Sequence, residues 1–597
     1  MIEYDLSPEE RKKYIAARGK TIVTACPGSG KTTSIVYKLR QLCDEVEKTN
    51  KHTGVLCLSF TNKAVDEIRA AFKLQHGFDI RYPHEVTTID SFLTQNIVMQ
   101  FWYLHSHCKA SPIIVNEEEL LHNLLWYHYT KDNEIHEACN IRGYDQIVHL
   151  YKPEKINFCS GKYFQETTEI PPEYTQYASN VVEYRLSKGF LTSTDAMNIA
   201  LDIIKEYPII ANSIVKRFPY IIIDEAQDTS LDQFWLFNKL IDTGLKNIEF
   251  IGDINQSIYE WRFAKPAILE RITERKEWAH IPFTNNRRSV QRIIDLYSKL
   301  VPASKRLPVI STNVADKGIP IIVYKYDKNN SNEVLADFEK RCKDNNLIEW
   351  LILTRGRSLG KILSGAKEKP EYWKSPLPYI IIKAYEDFLQ GSVSKAVQQL
   401  AYIWSMLIYN ENEYDKKRVF IKETIENHKT STKLINMLFN MPDLSETFQS
   451  WTAKIPQFLK QELDLEIAPK IEVFARKKKF DIKVMAQSKL SMYFGHNIIG
   501  NRSGRTIQTI HSSKGASTDA VLLFLSANNQ GKQISLSLFD HKGNMTEKHR
   551  MMYVACSRAR QFLALAVPMT YPVESIQKQL RGINYELRVP GIIEGLS

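Results

Sequence analysis

Apolar and polar residues follow one another along the chain in runs that predict strands and helices in turn. The run Thr21–Thr24 precedes a glycine-rich stretch, after which Ile35 and Leu39 occupy apolar positions at helical spacing. This pattern predicts a strand, a tight loop and a helix. A second run, Tyr220–Ile223, leads directly into two acidic residues and is typical of a buried parallel strand.

The same patterns recur in other parts of the chain. Pro320–Tyr324 and Leu351–Thr354 are apolar runs of strand length, whereas residues 117–129 and 192–207 have helical spacing. These runs predict both strands and helices in the chain. A length of 597 residues indicates several domains.

Composition narrows the classes of protein. Lysine and arginine outnumber aspartate and glutamate by 79 to 68, and the net charge of +11 favours a polyanionic partner. The 8 cysteines form neither a CxxC pair nor a cluster with histidine at zinc spacing, so reduced thiols are expected. The amino-terminal stretch lacks the apolar core of a signal peptide, and no run is long enough to span a bilayer. We expect a cytoplasmic protein.

The glycine-rich stretch ACPGSGKTT has the composition of a phosphate-binding loop, with alanine in place of the first glycine. Backbone N–H groups at the start of the helix would surround a phosphate, where the helix dipole also favours negative charge. Lys31 would reach the β- and γ-phosphates, and the Thr32 hydroxyl would hold Mg²⁺. An ordinary glycine-rich turn is the alternative. The nucleotide-binding residues expected here are Ala25, Cys26, Pro27, Gly28, Ser29, Gly30, Lys31, Thr32 and Thr33.

The acidic pair Asp224 and Glu225 would complete such a site. Hydrolysis needs a carboxylate for the metal and a base for the attacking water, both at the end of a buried strand. Asp224 would hold Mg²⁺, and Glu225 would orient and deprotonate the water. Two acids after a strand are usually part of a solvated loop, but this pair continues as Ala226-Gln227-Asp228. Together with the phosphate loop, the segment predicts ATP hydrolysis.

From residue 6 to residue 566 the chain resembles a known family through an ordered series of motifs. It looks like a UvrD/PcrA/Rep-type DNA helicase of superfamily one, and it is also similar to compact defence-associated members such as the Gabija helicase. The resemblance implies an α/β fold with two RecA-like domains, each a parallel sheet flanked by helices, that hydrolyse ATP between them. Besides the phosphate loop and DEAQD, the matching segments are Ser59–Ala64, Thr87–Phe92, Gly252–Arg262, Asn286–Ser289, Thr509–Gly515 and Tyr553–Ala559.

The resemblance assigns the phosphate chemistry to residues of both domains. Arg288 and Arg558 would reach across the cleft to the γ-phosphate, which makes hydrolysis depend on domain closure. Gln256 would sense the γ-phosphate from the first domain. The implied catalytic residues are Lys31, Asp224, Glu225, Gln256, Arg288 and Arg558.

The same motifs imply a track for single-stranded DNA. Aromatic side chains stack on bases without sequence preference, beside polar groups that follow the phosphates. Tyr259 and Trp261 alternate in one short segment, so one face of an extended stretch would carry both, although a place in the core is the alternative. By resemblance, the strand-binding residues are Phe60, Thr61, Asn62, Lys63, Thr88, Tyr259, Trp261, Arg262 and His511.

Four positions depart from the family pattern around the nucleotide. Glu10 stands where a glutamine recognises adenine, and a carboxylate accepts hydrogen bonds but does not donate them. Thr33 replaces an arginine, Arg287 replaces a tyrosine that stacks on the base, and Ser517 replaces a glutamate near the ribose. Glu10 and Arg287 are still expected at the nucleotide, since a guanidinium also stacks on a ring. We therefore expect a weaker preference for ATP over GTP than in the family.

The motif spacing predicts where segments are inserted into the two RecA-like domains. Both insertions are expected to be mainly helical, and the second ends in the basic run Arg476–Lys479, which is either a solvated face or a duplex contact. In chain order the expected segments are 1–92 (first domain), 93–190 (inserted subdomain), 191–280 (rest of the first domain), 281–360 (second domain), 361–500 (inserted subdomain) and 501–597 (rest of the second domain).

The sequence thus predicts an ATP- and Mg²⁺-dependent motor that moves on single-stranded DNA, by resemblance 3′ to 5′, and unwinds duplexes at junctions. The alternative is a nucleic-acid-stimulated switch, in which ATP turnover gates a partner protein such as a nuclease with little unwinding. RNA is a weaker alternative for the track, because nothing in the motifs recognises a 2′-hydroxyl. Motors of this family serve repair, replication, recombination and defence.

Overall fold

A computed structural model of the chain describes two compact units. One unit contains the described residues up to Arg355 and from Thr509 onward, and the other contains those from Gly356 to Gln508. The described residues are 9–105, 111–114, 128–131, 134–137, 189–191, 193–258, 266–313, 316–327, 330–356, 359–360, 363, 371–389, 391–410, 414–476, 481–494, 506–531, 533–540 and 543–590.

The described strands and helices alternate through most of the first unit. The strands are β1 (Lys20–Ala25), β2 (Val55–Ser59), β3 (Glu85–Thr88), β4 (Ile113–Ile114), β5 (His128–Lys131), β6 (Glu134–Glu137), β7 (Phe190–Leu191), β8 (Tyr220–Ile223), β9 (Asn247–Gly252), β10 (Ala279–Phe283), β11 (Asn285–Asn286), β12 (Ile310–Ser311), β13 (Ile321–Tyr326), β14 (Trp350–Thr354), β15 (Ile507–Thr509), β16 (Thr518–Phe524), β17 (Ala559–Pro568) and β18 (Tyr585–Arg588).

The helices vary in length from one turn to five. They are α1 (Glu9–Ala16), α2 (Lys31–Thr49), α3 (Asn62–His76), α4 (Ile89–Leu93), α5 (Met99–His105), α6 (Ser193–Glu206), α7 (Pro208–Arg217), α8 (Leu231–Asp242), α9 (Pro266–Thr273), α10 (Gln291–Ser298), α11 (Ser331–Asp344), α12 (Leu377–Leu389), α13 (Val393–Ile408), α14 (Tyr414–Glu426), α15 (His428–Phe439), α16 (Phe448–Glu462), α17 (Ile482–Gln487), α18 (Glu547–Cys556) and α19 (Val573–Gln579). Among the described residues, no helix has both the length and the apolar character needed to cross a membrane.

Six parallel strands form the sheet of the first RecA-like domain, in the order β10-β1-β9-β8-β2-β3. Consecutive residues of β2 belong to opposite core clusters, Leu56 and Leu58 to one and Val55 and Cys57 to the other. Since side chains alternate across a strand, both faces of the sheet are buried. The carboxyl ends of all six strands lie at one edge, where β1 leads to the phosphate loop and β8 to the acidic pair.

A second sheet has the strand order β15-β14-β16-β17-β13-β18. Its pairings from β14 through β18 are parallel. Helices α10 and α18 pack on this sheet and share one apolar core with β16 and β17. The predicted runs at Pro320–Tyr324 and Leu351–Thr354 lie in β13 and β14. Two parallel sheets, each covered by helices, confirm the predicted α/β fold with two RecA-like domains.

The chain leaves the first domain later than residue 281. Strand β10 pairs in parallel with β1, with Ile281 opposite Val23. Ile281 and Phe283 are buried in the first-domain core. Because these apolar side chains complete the first sheet, the expected boundary moves beyond Phe283. The segment 284–289 then leads to the second domain and is called the crossing below.

The two insertions are described to different extents. The predicted helix at 192–207 is confirmed as α6, and its apolar residues are buried in the first-domain core. Most of 93–190 lies outside the described residues, but residues 128 and 129 of the predicted helix at 117–129 form part of strand β5. The second unit is mainly helical, from α12 to α17, with an aromatic core around Trp373 and Trp451. Residues 477–479 of the basic run lie outside the described residues.

A buried ion pair joins α2 to β9 in the first domain. The fully buried Lys38 ammonium lies 2.5 Å from a Glu249 carboxylate oxygen. It also donates a hydrogen bond of 2.9 Å to the Tyr14 carbonyl and lies over the Tyr14 ring. Burial lowers the pKa of Lys38 and raises the pKa of Glu249, and the attraction between the two charges opposes both shifts. The pair therefore ties α1 and α2 to the sheet.

We predict that Lys38→Met destabilises the protein by about 3–5 kcal/mol, because it leaves the Glu249 charge buried without a partner. The double variant Lys38→Met/Glu249→Leu should recover most of this loss. Urea titration would give the free energy of unfolding of each variant. An equal loss in the single and double variants would show that the unpaired charge is not the cause.

Candidate active site

The phosphate loop lies between β1 and α2 and has a backbone that glycine permits. Gly28 and Gly30 have φ angles of 72° and 82°, in the left-handed region that side chains disfavour. Helix α2 begins directly after Gly30, and no described side chain caps its first N–H groups. Uncapped N–H groups and the helix dipole together make an anion site. The loop therefore has the geometry that phosphate binding requires.

A cavity of about 600 Å³ opens at this loop between the two RecA-like domains. Most of the predicted nucleotide and catalytic residues line it, namely Pro27–Thr33, Glu225, Gln256, Arg287, Arg288 and Arg558. Ala25 and Cys26 are buried where β1 ends. The second domain contributes further lining residues without a predicted role, which are Asn313, Lys514, Gly515, Asp519, Arg560 and Gln561. Tertiary structure thus brings distant predicted residues to one cavity.

Asp224 follows β8 at the carboxyl edge of the first sheet. It is buried, and its Oδ1 has no hydrogen-bond partner among the described residues. Burial, with a contribution from the Glu225 charge, raises the pKa of Asp224 to about 7. A buried carboxylate oxygen without a partner is costly unless a cation binds there. Asp224 therefore fits a Mg²⁺ ligand, and Thr32 lines the cavity from the first turn of α2.

Glu225 is restrained in both its backbone and its side chain. Its φ of 51° and ψ of 37° are in the left-handed region, where a residue other than glycine is strained. Its carboxylate accepts a hydrogen bond of 2.5 Å from Gln227 Nε2. Burial favours the neutral form, but the charges of Lys31 and Lys514 and this hydrogen bond outweigh burial and lower the pKa of Glu225. Glu225 is therefore ionised at neutral pH, as a general base must be.

A direct hydrogen bond crosses the cleft between the two domains. Arg558 Nη2 donates to Gln256 Oε1 at 2.9 Å, and Gln256 Nε2 donates to the Asp253 carboxylate at 2.8 Å. Arg558 is 2 % exposed, and burial together with repulsion from Arg288 lowers its pKa to about 9. A buried cation is costly without an anion nearby. The cleft is therefore suited to bind negative charge.

Arg288 contacts the phosphate loop across the same cleft. A Cβ on Gly28 would lie 2.3 Å from Arg288 Cβ, so only glycine permits this approach. The Arg287 N–H donates a hydrogen bond of 2.9 Å to the Gly28 carbonyl. Arg288 Nη1 donates to the Ser557 carbonyl at 3.3 Å. Both arginines that the resemblance implies, Arg288 and Arg558, therefore lie at the cavity.

Lys514 is a candidate that the sequence analysis missed, although it belongs to the matched segment Thr509–Gly515. Its ammonium pairs with the buried Asp228 carboxylate and lies 3.9 Å from the Glu225 carboxylate. Burial raises the pKa of Asp228 to about 6, and the Lys514 charge opposes this shift. Buried acidic side chains need a cation nearby. The acidic segment Asp224–Asp228 was therefore the signal that could have drawn attention to a lysine in another matched segment.

Glu10 is not among the residues that line the cavity. Its Oε2 accepts hydrogen bonds from the Thr284 N–H and hydroxyl, at 2.7 and 3.2 Å, and its Oε1 accepts from the Asn285 N–H at 3.4 Å. This carboxylate contacts the start of the crossing between the domains, and its contact with the nucleotide stays a prediction. Ser517 does line the cavity, and its Oγ accepts a hydrogen bond of 3.1 Å from Arg560 Nε.

Several predicted strand-binding residues lie at the start of α3 and in the second domain. The Thr61 hydroxyl caps α3 by accepting a backbone N–H at 3.2 Å. Asn62 and Lys63 are exposed on the first turn of that helix, whereas Phe60 and His511 are half-buried. The exposed pair is accessible to a phosphate backbone.

Thr88 has a local structural role. It is 8 % exposed, and its hydroxyl caps α4 by accepting the Ser91 N–H at 3.1 Å. The Thr88 hydroxyl is thus already used as a helix cap, and its contact with DNA stays a prediction. Tyr259, Trp261 and Arg262 lie outside the described residues, and their stacking role also stays a prediction.

The two sheets and the cleft between them define a phosphate-loop protein with two RecA-like domains. The UvrD/REP helicase N-terminal domain family matches residues 6–277, and the UvrD-like helicase C-terminal domain family matches residues 501–568. Together the two matches include more than half of the chain. The chain belongs to the UvrD-like helicase family, which confirms the resemblance found in the sequence.

Similar proteins align with nearly the whole chain. ATP-dependent DNA helicase Rep of Buchnera aphidicola is 21 % identical over 91 % of this chain and 90 % of its own length. Probable DNA helicase II homolog of Mycoplasma genitalium is 22 % identical over 97 % of this chain and 87 % of its own. Gabija protein GajB of Bacillus cereus is 24 % identical over 98 % of this chain and 100 % of its own. The similarity thus extends beyond the two matched domains.

We predict that Lys514→Met destabilises the protein more at pH 8 than at pH 5. Without the ammonium, the pKa of Asp228 rises further above about 6. A carboxyl group whose pKa is raised by folding binds its proton more tightly in the folded state, so stability is lost as pH rises toward the folded pKa. Each further unit in the pKa of Asp228 costs about 1.4 kcal/mol above that pKa.

Melting temperatures of the wild type and the variant between pH 5 and pH 8 would test this prediction. Lys578→Met is the matched control, because Lys578 is 71 % exposed and pairs with Asp540 at the surface. It should leave the pH dependence unchanged. A deficit in Lys514→Met that is the same at pH 5 and pH 8 would contradict the role of Asp228.

Proposed function

We propose that this protein is an ATP-dependent DNA helicase that moves 3′ to 5′ along single-stranded DNA and unwinds duplexes. The observation that carries the proposal is the cleft, in which Arg288 and Arg558 of one RecA-like domain lie at the phosphate loop of the other. Cations placed at such a loop stabilise the charge of a transferring phosphoryl group. Similarity to ATP-dependent DNA helicase Rep along nearly the whole chain supports ATP as the nucleotide that is hydrolysed and DNA as the nucleic acid that is bound.

Each residue of the cleft has a distinct task in hydrolysis. Lys31 and the N–H groups of the loop bind the β- and γ-phosphates. Glu225, ionised in its restrained position, accepts the proton of the attacking water. Arg288 and Arg558 balance the charge that develops on the γ-phosphate. Thr32 and Asp224 would hold Mg²⁺, which would supply further positive charge at the phosphates.

Hydrolysis becomes movement through contacts that join the two domains. Gln256 accepts from Arg558 and donates to Asp253, so a phosphate that engages Arg558 alters a bond between the domains. Opening and closing of the cleft would then move the strand. The proposed strand contacts are Phe60, Thr61, Asn62, Lys63, Thr88, Tyr259, Trp261, Arg262 and His511.

The alternative function is a nucleic-acid-stimulated ATPase that gates a partner protein such as a nuclease. The similarity to Gabija protein GajB, which includes the whole length of that protein, favours this candidate. The same cleft would serve it, because a switch also needs turnover and domain closure. The two candidates differ in whether the purified chain separates strands by itself.

We predict that the purified protein, with ATP and Mg²⁺, displaces the strand of a partial duplex with a 3′ single-stranded tail and not of one with a 5′ tail. Displacement from the 5′-tailed substrate alone would contradict the direction. DNA-stimulated ATP hydrolysis without displacement from either substrate would favour the switch.

Two variants of the cleft show whether hydrolysis drives the displacement. Lys31→Ala removes the phosphate-binding cation and Glu225→Gln removes the base, and each should lower the hydrolysis rate by roughly 100-fold or more. Glu225→Gln should still bind ATP, because the loop is intact. Normal turnover in Glu225→Gln would refute its role as the base, and Lys578→Met serves as the surface control.

A further inference from the structure

Helix α1 holds the start of the crossing between the two RecA-like domains. The Glu10 carboxylate accepts three hydrogen bonds there, from the N–H and hydroxyl of Thr284 and from the N–H of Asn285. Thr284 directly follows β10, the edge strand of the first sheet. Hydrogen bonds to an ionised acceptor are stronger than those between neutral groups. The carboxylate therefore fastens the crossing to the first domain at the point where the chain leaves the sheet.

The next residue on the same helix holds the phosphate loop. Arg11 is 3 % exposed, and its Nη2 donates a hydrogen bond of 3.2 Å to the Ser29 carbonyl. A Cβ on Gly30 would lie 2.5 Å from this nitrogen, so the guanidinium occupies the space beside the loop. Adjacent residues of α1 thus contact both the loop and the crossing.

The crossing in turn positions Arg288. The Asn286 side-chain oxygen accepts the N–H groups of Arg288 and Ser289, at 2.8 and 2.9 Å. The Arg287 N–H donates to the Gly28 carbonyl. These hydrogen bonds restrict the distance between Thr284, which Glu10 contacts, and Arg288 at the cavity. A displacement of the crossing would therefore displace Arg288 from the phosphate loop.

We propose that Glu10 is a positioning residue that pins the crossing between the domains and takes no part in recognising the nucleotide base. This inference rests on the proposed function, since it concerns the same ATP site. With the crossing pinned, Arg288 returns to one position each time the cleft closes. Both oxygens of the Glu10 carboxylate accept hydrogen bonds from Thr284 and Asn285, so we assign Glu10 to the crossing and not to the choice between adenine and guanine.

We predict that Glu10→Ala lowers kcat for ATP by roughly tenfold or more and changes KM by less than about twofold, because Arg288 acts on the transition state. Glu10→Gln keeps one acceptor oxygen and should lose less. The ratio of kcat/KM for ATP to that for GTP should be unchanged in both variants. Glu9→Gln is the matched control, since Glu9 is the exposed neighbour on α1.

Amide hydrogen exchange tests whether Glu10 holds the crossing, and it does not require ATP hydrolysis. The Thr284 and Asn285 amides should be protected in the wild type and in Glu9→Gln, exposed in Glu10→Ala and intermediate in Glu10→Gln. If the wild type fails to hydrolyse ATP, the proposed function fails while the exchange pattern still reports on the pin. Glu10→Gln, which conserves shape, provides the comparison should Glu10→Ala not fold.

Three results would overturn the inference. A tenfold shift of the kcat/KM ratio toward ATP in Glu10→Gln would show that residue 10 recognises the base. Unchanged exchange at Thr284 and Asn285 in Glu10→Ala would show that the carboxylate does not hold the crossing. Altered exchange with unchanged kcat in an active protein would make Glu10 a structural contact without influence on Arg288.

Discussion

Charge buried in one cleft is the constraint on which the rest of the structure depends. Asp224 and Asp228 of the first domain are buried acids, and Arg558 of the second domain is a buried cation. A buried charge is stable only near charges of opposite sign. At this cleft, each RecA-like domain therefore depends on polar or charged groups of the other to stabilise its buried charges. Lys514 meets Asp228, and Arg558 meets Gln256, across the cleft. The second of these contacts joins two residues of the proposed catalytic set, Arg558 and Gln256.

The parallel sheet explains why these charges gather at one edge. In a parallel sheet every strand ends on the same side, so the phosphate loop after β1 and the acids after β8 become neighbours although they are distant in the chain. Apolar residues on both faces of β2 show that the sheet itself is fully covered. Polar groups therefore lie at the carboxyl edge of the sheet, where apolar residues do not cover them. The Lys38 and Glu249 pair is a charged contact inside the core, and α1 lies against that pair.

Particular elements show how far pattern reasoning succeeds. The phosphate loop, the DEAQD segment and the helix at 192–207 follow from local composition and spacing, and the structure has them where the sequence predicts them. The boundary expected at residue 281 differs from the structure by a few residues, because motif spacing does not show which sheet the strand Ala279–Phe283 joins. The contacts of Glu10 with Thr284 and Asn285 were not predicted, because both a nucleotide and a backbone N–H are partners for a carboxylate. Local sequence does not choose between them.

The sequence by itself determined the class of fold, the glycine-rich loop and the family, because the motifs that indicate them depend on the order and spacing of neighbouring residues. Only tertiary structure decided which charges meet. The pairing of Lys514 with Asp228 joins residues far apart in the chain, as does the hold of Glu10 on Thr284. Such contacts are needed because folding removes both partners from water, and each then offsets the cost of the other's lost hydration. This need arises in the assembled structure rather than in any segment.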